Sequence, residues 1–188
     1  MGKSTAAAAL RRLGVPVHDA DAVVHGLMAR GGAAVAAIEA AFPGVTRDGA
    51  IDRKALGAKV FGDPSALRRL EAILHPLVRH SARRFLSHAR RRRVPIAVLD
   101  IPLLYETGGE ALCDAVMVVS APARSQRTRV LGRAGVSEAR LQAILAEQVP
   151  DAEKRRRADY IVDTGLSRRH ALRQIEAALK DLRGRAVR

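Results

Sequence analysis

The sequence of 188 residues is long enough for one domain of ordinary size, and its 48% of hydrophobic residues can bury a core. No apolar run approaches the ~18–20 residues of a membrane-spanning helix, and the single cysteine, Cys113, excludes an internal disulfide and a cysteine-built metal site. The net charge of +14 favours polyanionic partners, either phosphorylated small molecules or nucleic acid, although 3% aromatic residues leave few stacking platforms for single strands. Because the amino-terminal residues do not form a secretory signal either, we expect a cytoplasmic protein without a membrane partner.

The amino-terminal residues match part of a phosphate-binding loop. Gly2, Lys3 and Ser4 fit the last three positions of the pattern G-x-x-x-x-G-K-[ST], which lies between a strand and a helix. In such a loop the lysine reaches the β- and γ-phosphates, and the hydroxyl of Ser4 would bind Mg²⁺. The alternative is a disordered start that leads into an alanine-rich helix.

The first glycine of this pattern and the strand before it have no counterpart in the sequence. A central strand buries several apolar side chains at ~1.5–3 kcal/mol each, which is large beside a net domain stability of ~5–15 kcal/mol. We therefore expect this form of the chain to be less stable, and to bind triphosphate more weakly, than a form extended upstream of Met1.

A helix is predicted over about 4–13, ended by Gly14, and a short strand over about 15–18. Asp19 and Asp21 follow at the carboxyl end of this strand, and an extended chain would point both side chains the same way. One of them could accept the proton of a substrate hydroxyl or order the shell of a magnesium ion. The alternative is that they cap the helix predicted over about 22–30.

The stretch 33–93 is predicted to be almost wholly helical and to form an insertion over the sheet. Pro76 should kink or break its last long segment after His75. Arg79 lies one helical turn from His75 and would share its face, although a lone histidine is more often structural. The helices are expected over about 33–42, over 53–60 after the cap residue Asp52, and from Asp63-Pro64 to 93.

Three apolar runs predict buried strands, over about 95–99, 115–119 and 160–162. Strands that alternate with helices indicate an α/β fold with a parallel sheet and crossover helices. Ligands bind beyond the carboxyl ends of such strands, so residues 19–21, 100–106 and 163–165 should share one rim with the turn at 2–5. The intervening helices are expected from Pro122 to about 133, from Ser137 to about 148, and from Ser167 to about 182, before a frayed tail.

Arginines cluster on the helix that begins at Pro122. Arg124, Arg127 and Arg133 lie on or just after it, with Arg129 between them. On a mobile helix pair they could close over a triphosphate and neutralise the charge that develops during transfer. The alternative is a solvated helix face.

Taken in order, these motifs resemble those of the dephospho-CoA kinase family over essentially the whole chain. That family has a P-loop, an Asp-Ala-Asp strand end, an inserted helical domain with Leu-His-Pro, a Pro-Leu-Leu-x-Glu strand end, a Gln-x-x-Arg helix, a lid and a closing Ala-Asp-Tyr strand. The matching residues are Gly2-Lys3-Ser4-Thr5, Asp19-Ala20-Asp21, Leu74-His75-Pro76, Pro102-Leu103-Leu104-Tyr105-Glu106, Gln126-Arg127, Arg133, Gln148 and Ala158-Asp159-Tyr160. The resemblance implies that adenine lies near residues 163–165. Relatives often carry asparagine near the position of Thr164, which leaves this adenine contact open.

The resemblance implies a P-loop NTPase-like parallel sheet flanked by helices, with an inserted helical substrate domain and a lid. In one kinase domain over 1–188, the core would cover about 1–24, 94–123 and 151–188, the CoA-side insertion about 25–93, and the lid about 124–150. The implied reaction is ATP-dependent phosphorylation of the ribose 3′-hydroxyl of dephospho-CoA, the final step of coenzyme A biosynthesis.

The resemblance also implies a role for each motif, with ATP and Mg²⁺ as cofactors. Asp21 would be the general base, and Lys3 and Arg133 would also be catalytic. The implied partners are dephospho-CoA and no nucleic acid, and the implied state is a monomer or weak homo-oligomer. The implied binding residues are Gly2, Lys3, Ser4, Thr5 and Arg133 for the nucleotide, Ser4 for the metal, and Asp19, Asp21, His75, Arg79, Pro102 and Leu103 for the acceptor.

Two other interpretations stay open from the sequence. The chain could be another P-loop kinase acting on a nucleoside or nucleotide, which an assay of ADP release across acceptors would separate. It could also be a truncated, non-catalytic basic binding protein, for which salt-dependent binding of nucleic acid without ATP turnover would be diagnostic.

Overall fold

The structure is a computed structural model that describes residues 2–132, 137–138, 142, 145 and 148–186. It divides into two compact units, the first formed by residues up to 17 together with those from 95 onward, and the second by His18–Val94. The predicted division into core, insertion and lid stays a prediction. The elements are, in chain order, α1 (Lys3–Arg12), β1 (Val17–Asp19), α2 (Ala20–Met28), α3 (Val35–Ala41), β2 (Thr46–Arg47), β3 (Ala50–Ile51), α4 (Arg53–Val60), α5 (Pro64–Arg91), β4 (Val98–Asp100), a 3₁₀ helix (Gly109–Leu112), β5 (Met117–Ser120), α6 (Ala123–Leu131), α7 (Asp151–Arg157), β6 (Tyr160–Asp163) and α8 (Arg168–Ala186).

The first unit has a core between helices and parallel strands. Buried side chains of α1, spaced for one helix face at Ala6, Ala9 and Leu10, pack in one cluster with Val162 of β6 and Ile175 of α8. The small alanine side chains let α1 approach β6 and α8 closely. Burial of this face, in addition to the helix propensity of alanine, stabilises the helix.

The strands of this unit support the predicted α/β class. β5 and β6 run parallel, with Met117 opposite Tyr160 and Ser120 opposite Asp163, so their carboxyl ends meet at one edge. Immediately before β1, the carbonyl of Pro16 accepts a hydrogen bond from Val98 N of β4 at 2.9 Å. The edge formed by the carboxyl ends of the strands is where a parallel sheet binds ligands.

The second unit has its own apolar core, built from α3, the β2–β3 hairpin, α4 and α5, in which Ile38 and Val45 are fully buried. The carboxylate of Glu39 ties the end of α3 to the hairpin by accepting hydrogen bonds from Gly44 N (2.6 Å), Thr46 N (2.8 Å) and Thr46 Oγ1 (2.6 Å). The prediction of an almost wholly helical stretch is therefore wrong at this hairpin.

Three predicted helix starts are confirmed by cap hydrogen bonds. Asp52 accepts from Lys54 N at 2.9 Å, Asp63 accepts from Ser65 N at 2.8 Å, and Ser167 Oγ accepts from His170 N at 3.1 Å. Each cap satisfies a backbone N–H that the first helical turn leaves without an internal partner.

Of the kink or break predicted at Pro76, the break is wrong, because α5 continues through this residue from Pro64 to Arg91. The proline removes one intrahelical hydrogen bond, but Leu74 and Leu77 beside it pack against the core of the second unit. Tertiary packing along this long helix outweighs the local cost. The expectation of a frayed tail after the last helix is also wrong for residues 184–186, since α8 extends to Ala186.

Helix α7 was not predicted, since its sequence Asp-Ala-Glu-Lys-Arg-Arg-Arg has no apolar periodicity. The helix predicted over about 137–148 lies mostly outside the described residues. Among the residues that the structure does describe, no helix is long and apolar enough to cross a membrane.

Candidate active site

The turn at the amino end of α1 has the properties of an anion-binding site. Gly2 adopts a left-handed conformation (φ 98°) and, as the N-cap residue, has no side chain that could bond to the first N–H groups of the helix that begins at Lys3. The first turn of α1 contains no acidic residue, while the side chains of Ser4 and Thr5 are exposed. The first N–H groups of a helix point along its axis and, with the helix dipole, favour phosphate oxygens at this position.

The side chain of Lys3 is fixed by an acidic partner at the end of β4. Lys3 Nζ lies 2.9 Å from Asp100 Oδ1, and the Asp100 side chain is only 9% exposed. Asp100 was expected on the rim of the sheet but not among the site residues. The signal that could have identified it is an aspartate directly after a continuous apolar run, which puts a carboxylate at the ligand-binding end of a buried strand.

Ser4 and Asp100 provide the oxygen atoms that a magnesium ion prefers. Mg²⁺ is usually held by one or two protein oxygens, and water and phosphate oxygens complete its octahedron. Within the described ranges, no group of three or more His, Cys, Asp or Glu side chains could hold a metal ion. The hydroxyl of Ser4 and the carboxylate of Asp100 are hard oxygen ligands, of the kind that Mg²⁺ takes when phosphate and water oxygens complete its coordination.

The turn after β6 meets the turn at Gly2, as the predicted rim requires. A Cβ atom built on Gly2 would lie 2.9 Å from Thr164 Cγ2. Arg129 of α6 reaches the same residue, because its Nη2 donates to Thr164 O at 3.0 Å. Within the first unit, the structure therefore brings the predicted 163–165 segment together with the phosphate-binding turn.

The predicted geometry of the two aspartates is wrong. Asp19 ends β1 and its Oδ1 accepts a hydrogen bond from Ala22 N at 3.0 Å, so it caps α2. Asp21 already lies in the first turn of α2 and is exposed. Helical residues two apart do not share a face, so the two carboxylates do not point the same way. The interpretation as a helix cap is confirmed for Asp19, while the role of Asp21 as general base stays a prediction.

His75 and Arg79 lie one turn apart on α5 in the second unit, with His75 half-buried and Arg79 exposed. Within this unit α2, which includes Asp21, packs against α5. His18, just before Asp19, is buried, and its Nε2 lies 3.1 Å from Ser81 Oγ of α5. Burial lowers the pKa of His18, because the charged imidazolium would lose its hydration.

The segment after β4 contains the other predicted acceptor residues. Pro102 and Leu103 are exposed, and the Leu103 side chain is not packed into either apolar core of the described chain. Glu106, in contrast, is 12% exposed and forms an ion pair with Lys154 of α7 at 2.7 Å. Glu106 Oε1 also accepts a hydrogen bond from Val149 N at 3.0 Å.

Of the arginines predicted to face the phosphates, Arg133 lies outside the described residues. Arg124 is exposed at the start of α6. Arg127 is engaged by Glu138, with its Nη2 2.8 Å from Glu138 Oε2 and its Nε 3.2 Å from both carboxylate oxygens. Arg129 was not among the predicted site residues. It contacts Thr164 in the turn after β6.

Comparison with known proteins finds relatives with high sequence identity over most of the chain. The chain is similar to the dephospho-CoA kinase of Paramagnetospirillum magneticum, with 68% identity over 155 residues that cover 82% of this chain and 73% of that protein. It is 55% identical to the dephospho-CoA kinase of Mesorhizobium japonicum over 184 residues, covering 98% of this chain and 92% of the relative.

Two solved structures have the same fold. The crystal structure of TT1252 from Thermus thermophilus matches with a TM-score of 0.78 at 37% identity, over 96% of this chain and 92% of that one. The dephospho-CoA kinase of Campylobacter jejuni matches with a TM-score of 0.73 at 24% identity, over 97% and 92% of the two chains. The expected P-loop NTPase-like α/β fold is confirmed.

The family comparison covers most of the sequence and includes every predicted site residue. A model of the family described as "CoaE: Dephospho-CoA kinase" matches residues 1–168. With the phosphate-binding turn, the Lys3–Asp100 pair and the relatives above, this match shows that the chain belongs to the dephospho-CoA kinase family.

Proposed function

We propose that the chain transfers the γ-phosphoryl group of ATP to the ribose 3′-hydroxyl of dephospho-CoA and so completes coenzyme A synthesis. Family membership supports the substrate pair. The single structural observation behind the proposal is the Lys3–Asp100 pair at an uncapped helix start, at the ligand-binding end of β4. A cation and a carboxylate placed there suit a triphosphate and its magnesium ion.

The phosphate side of the reaction is assigned to the first unit. Backbone N–H groups of Gly2–Thr5 bind phosphate oxygens, and Lys3 binds the β- and γ-phosphates. Ser4 and Asp100 hold Mg²⁺, which supplies charge neutralisation for the phosphates when it is bound. Arg133 stays a proposed phosphate ligand on the resemblance alone.

The acceptor side is assigned to the second unit and to the segment after β4. Asp21 accepts the proton of the 3′-hydroxyl as that oxygen forms its bond to the γ-phosphorus and the bond to the ADP oxygen breaks. Asp19 holds Asp21 in place by fixing the start of α2. His75, Arg79, Pro102 and Leu103 bind dephospho-CoA. Because the transferred group needs little covalent assistance, positioning and electrostatic stabilisation provide most of the rate.

The test is an assay of ADP release with Mg²⁺–ATP and a panel of acceptors, in which the product is identified by mass. We expect turnover with dephospho-CoA and formation of coenzyme A, and much lower turnover with adenosine, AMP or dAMP. Asp21→Asn should lower kcat by about 10²–10⁴-fold while leaving ATP affinity unchanged.

The matched control for Asp21→Asn is Asp48→Asn, an exposed aspartate in the β2–β3 turn of the same unit. Asparagine tolerates the positive φ of this position, so Asp48→Asn should leave both kcat and stability unchanged. Faster turnover with another acceptor would contradict the substrate assignment. Full activity of Asp21→Asn would contradict the assignment of the base.

A further inference from the structure

Thr164, in the turn directly after β6, contacts three separate parts of the first unit. Its side chain faces Gly2, and its N–H and hydroxyl both donate to Ser120 O at the end of β5, at 2.8 and 3.0 Å. Its carbonyl accepts from Arg129 Nη2 at 3.0 Å, and Arg129 Nη1 lies 3.4 Å from its hydroxyl oxygen. The predicted site contains no residue of this turn, for which the resemblance implied only a contact with adenine.

The hydroxyl group fixes the orientation of the Thr164 side chain. A threonine hydroxyl has one hydrogen, and here it is directed to the carbonyl of Ser120, a residue that is 3% exposed. With χ1 fixed by this bond, the methyl group is held toward Gly2, since a β-branched side chain has few allowed rotamers. The hydroxyl is therefore used to anchor the turn to β5.

The methyl group fills the space above the Cα atom of Gly2. A Cβ atom at Gly2 would lie 2.9 Å from Thr164 Cγ2, 3.1 Å from its Oγ1 and 3.2 Å from its Cβ. Real Cβ atoms essentially never approach a heavy atom to 2.9 Å, so Gly2 is favoured here both by its φ of +98° and by the side chain of Thr164. The Gly2 turn thus rests directly on residue 164, without a flexible side chain in between.

We propose that Thr164 is a positioning residue for the triphosphate, and this inference rests on the proposed function of the Gly2 turn. Its methyl group sets the location of the Gly2–Lys3 amides, and its carbonyl orients the Arg129 guanidinium toward the same edge of the sheet. Residue 164 therefore determines affinity for the triphosphate and not affinity for the acceptor.

Two conservative replacements separate the methyl group from the hydroxyl. Thr164→Ser keeps the donor to Ser120 O but removes the methyl contact with Gly2. Thr164→Val removes the donor but keeps a methyl group toward Gly2, and Ser120 O retains the hydrogen bond from the backbone N–H of residue 164. We expect Thr164→Ser to raise the Kd for Mg²⁺–ATP roughly 3- to 10-fold, the size expected for one lost methyl contact, and Thr164→Val to stay within about twofold.

The control is Ser120→Ala, which is buried in the same place and whose hydroxyl donates to Asp151 Oδ2 at 2.8 Å. It removes a buried hydrogen bond but leaves the Ser120 carbonyl that Thr164 uses. We expect Ser120→Ala to lower the Tm without changing the Kd for Mg²⁺–ATP, which measures the effect of destabilisation alone.

The experiment is calorimetric titration of each variant with Mg²⁺–ATP and, separately, with dephospho-CoA, together with thermal unfolding. An increased Kd for ATP in Thr164→Ser, with the Kd for dephospho-CoA unchanged and the Thr164→Val value near the unsubstituted protein, supports the inference. An unchanged Kd for ATP in Thr164→Ser, or equal changes for both ligands, overturns it. The proposed function is judged independently, because ATP binding is measured without turnover and the phosphorylated product is identified in its own assay.

Discussion

Lys3 Nζ and Asp100 Oδ1 lie 2.9 Å apart, joining the phosphate-binding turn to the end of β4. The partners differ in exposure, since the Lys3 side chain is 37% exposed and that of Asp100 is 9% exposed. Loss of the partner would therefore cost more free energy at Asp100 than at Lys3, because an unpaired charge is costly where it is buried. The ion pair holds the Lys3 ammonium and the Asp100 carboxylate side by side at the start of α1, where the proposed function places a magnesium–triphosphate complex.

The first prediction concerns this pair and stability. Lys3→Met should lower the free energy of unfolding by about 1–2 kcal/mol, a value reduced by the partial exposure of the lysine. The double variant Lys3→Met with Asp100→Asn should recover most of that loss, because it leaves no unpaired charge. Urea unfolding at pH 7 measures both. Equal stability of the single and double variants would contradict the stabilising role of the pair.

The second prediction separates the two aspartates of the Asp19-Ala20-Asp21 segment. Asp19→Ala should lower the free energy of unfolding by about 0.5–2 kcal/mol because it removes the cap of α2, whereas Asp19→Asn should retain most of the stability. Asp21→Asn should leave stability unchanged and act on turnover alone. Denaturant unfolding and kcat, measured on the same preparations, test the division. Loss of stability in Asp21→Asn without loss of kcat would reverse the two assignments.

Local signals in the sequence were sufficient to predict where these helices begin. The cap residues Asp52, Asp63 and Ser167 accept hydrogen bonds from N–H groups only two or three residues away. The apolar runs were also sufficient for the strands of the parallel pair β5–β6. The β2–β3 hairpin was missed although Asp48-Gly49 is a hairpin signal, because its strands are only two residues each and helices surround them.

The missed features of the site depend on contacts between residues far apart in sequence. Asp100 forms an ion pair with Lys3 and Thr164 packs beside Gly2, and no periodicity or spacing encodes such pairs. Helix α7 also depends on contacts between residues far apart in sequence. Its own sequence is polar, and it forms ion pairs of Lys154 with Glu106 and of Arg157 with Glu110. The order of the motifs was enough to identify the family. The residues that contact each motif could be identified only from the fold.

The third prediction concerns the uninterrupted helix α5. Pro76→Ala should raise the free energy of unfolding by about 1–3 kcal/mol, because it restores a backbone N–H in the middle of a continuous helix. Pro64→Ala is the control, since the first position of a helix needs no N–H and alanine there should change little. Thermal and urea unfolding of both variants would test this. A destabilised Pro76→Ala would show that the ring itself packs productively.

The last prediction concerns the pH dependence of stability at Glu106. Burial alone would raise the pKa of Glu106, but the hydrogen bonds from Lys154 and Val149 N, with the charge of Lys154, outweigh it and hold the pKa below its ordinary value. A carboxyl with a lowered folded pKa stabilises the fold fully above its unfolded pKa of about 4.3, and this contribution is lost as the pH falls through the folded pKa.

Glu106→Gln should therefore lower the free energy of unfolding at pH 7 by about 1–3 kcal/mol, since Lys154 is only 18% exposed and loses its partner. The difference from the unsubstituted protein should shrink progressively as the pH falls below the unfolded pKa and through the lowered folded pKa, until the carboxyl is protonated in both states. Urea unfolding between pH 7 and pH 3.5 measures it, with the exposed Glu176→Gln of α8 as a control that should show no such convergence. A constant difference between Glu106→Gln and the unsubstituted protein across this range would mean that packing, and not the charge of Glu106, stabilises the junction with α7.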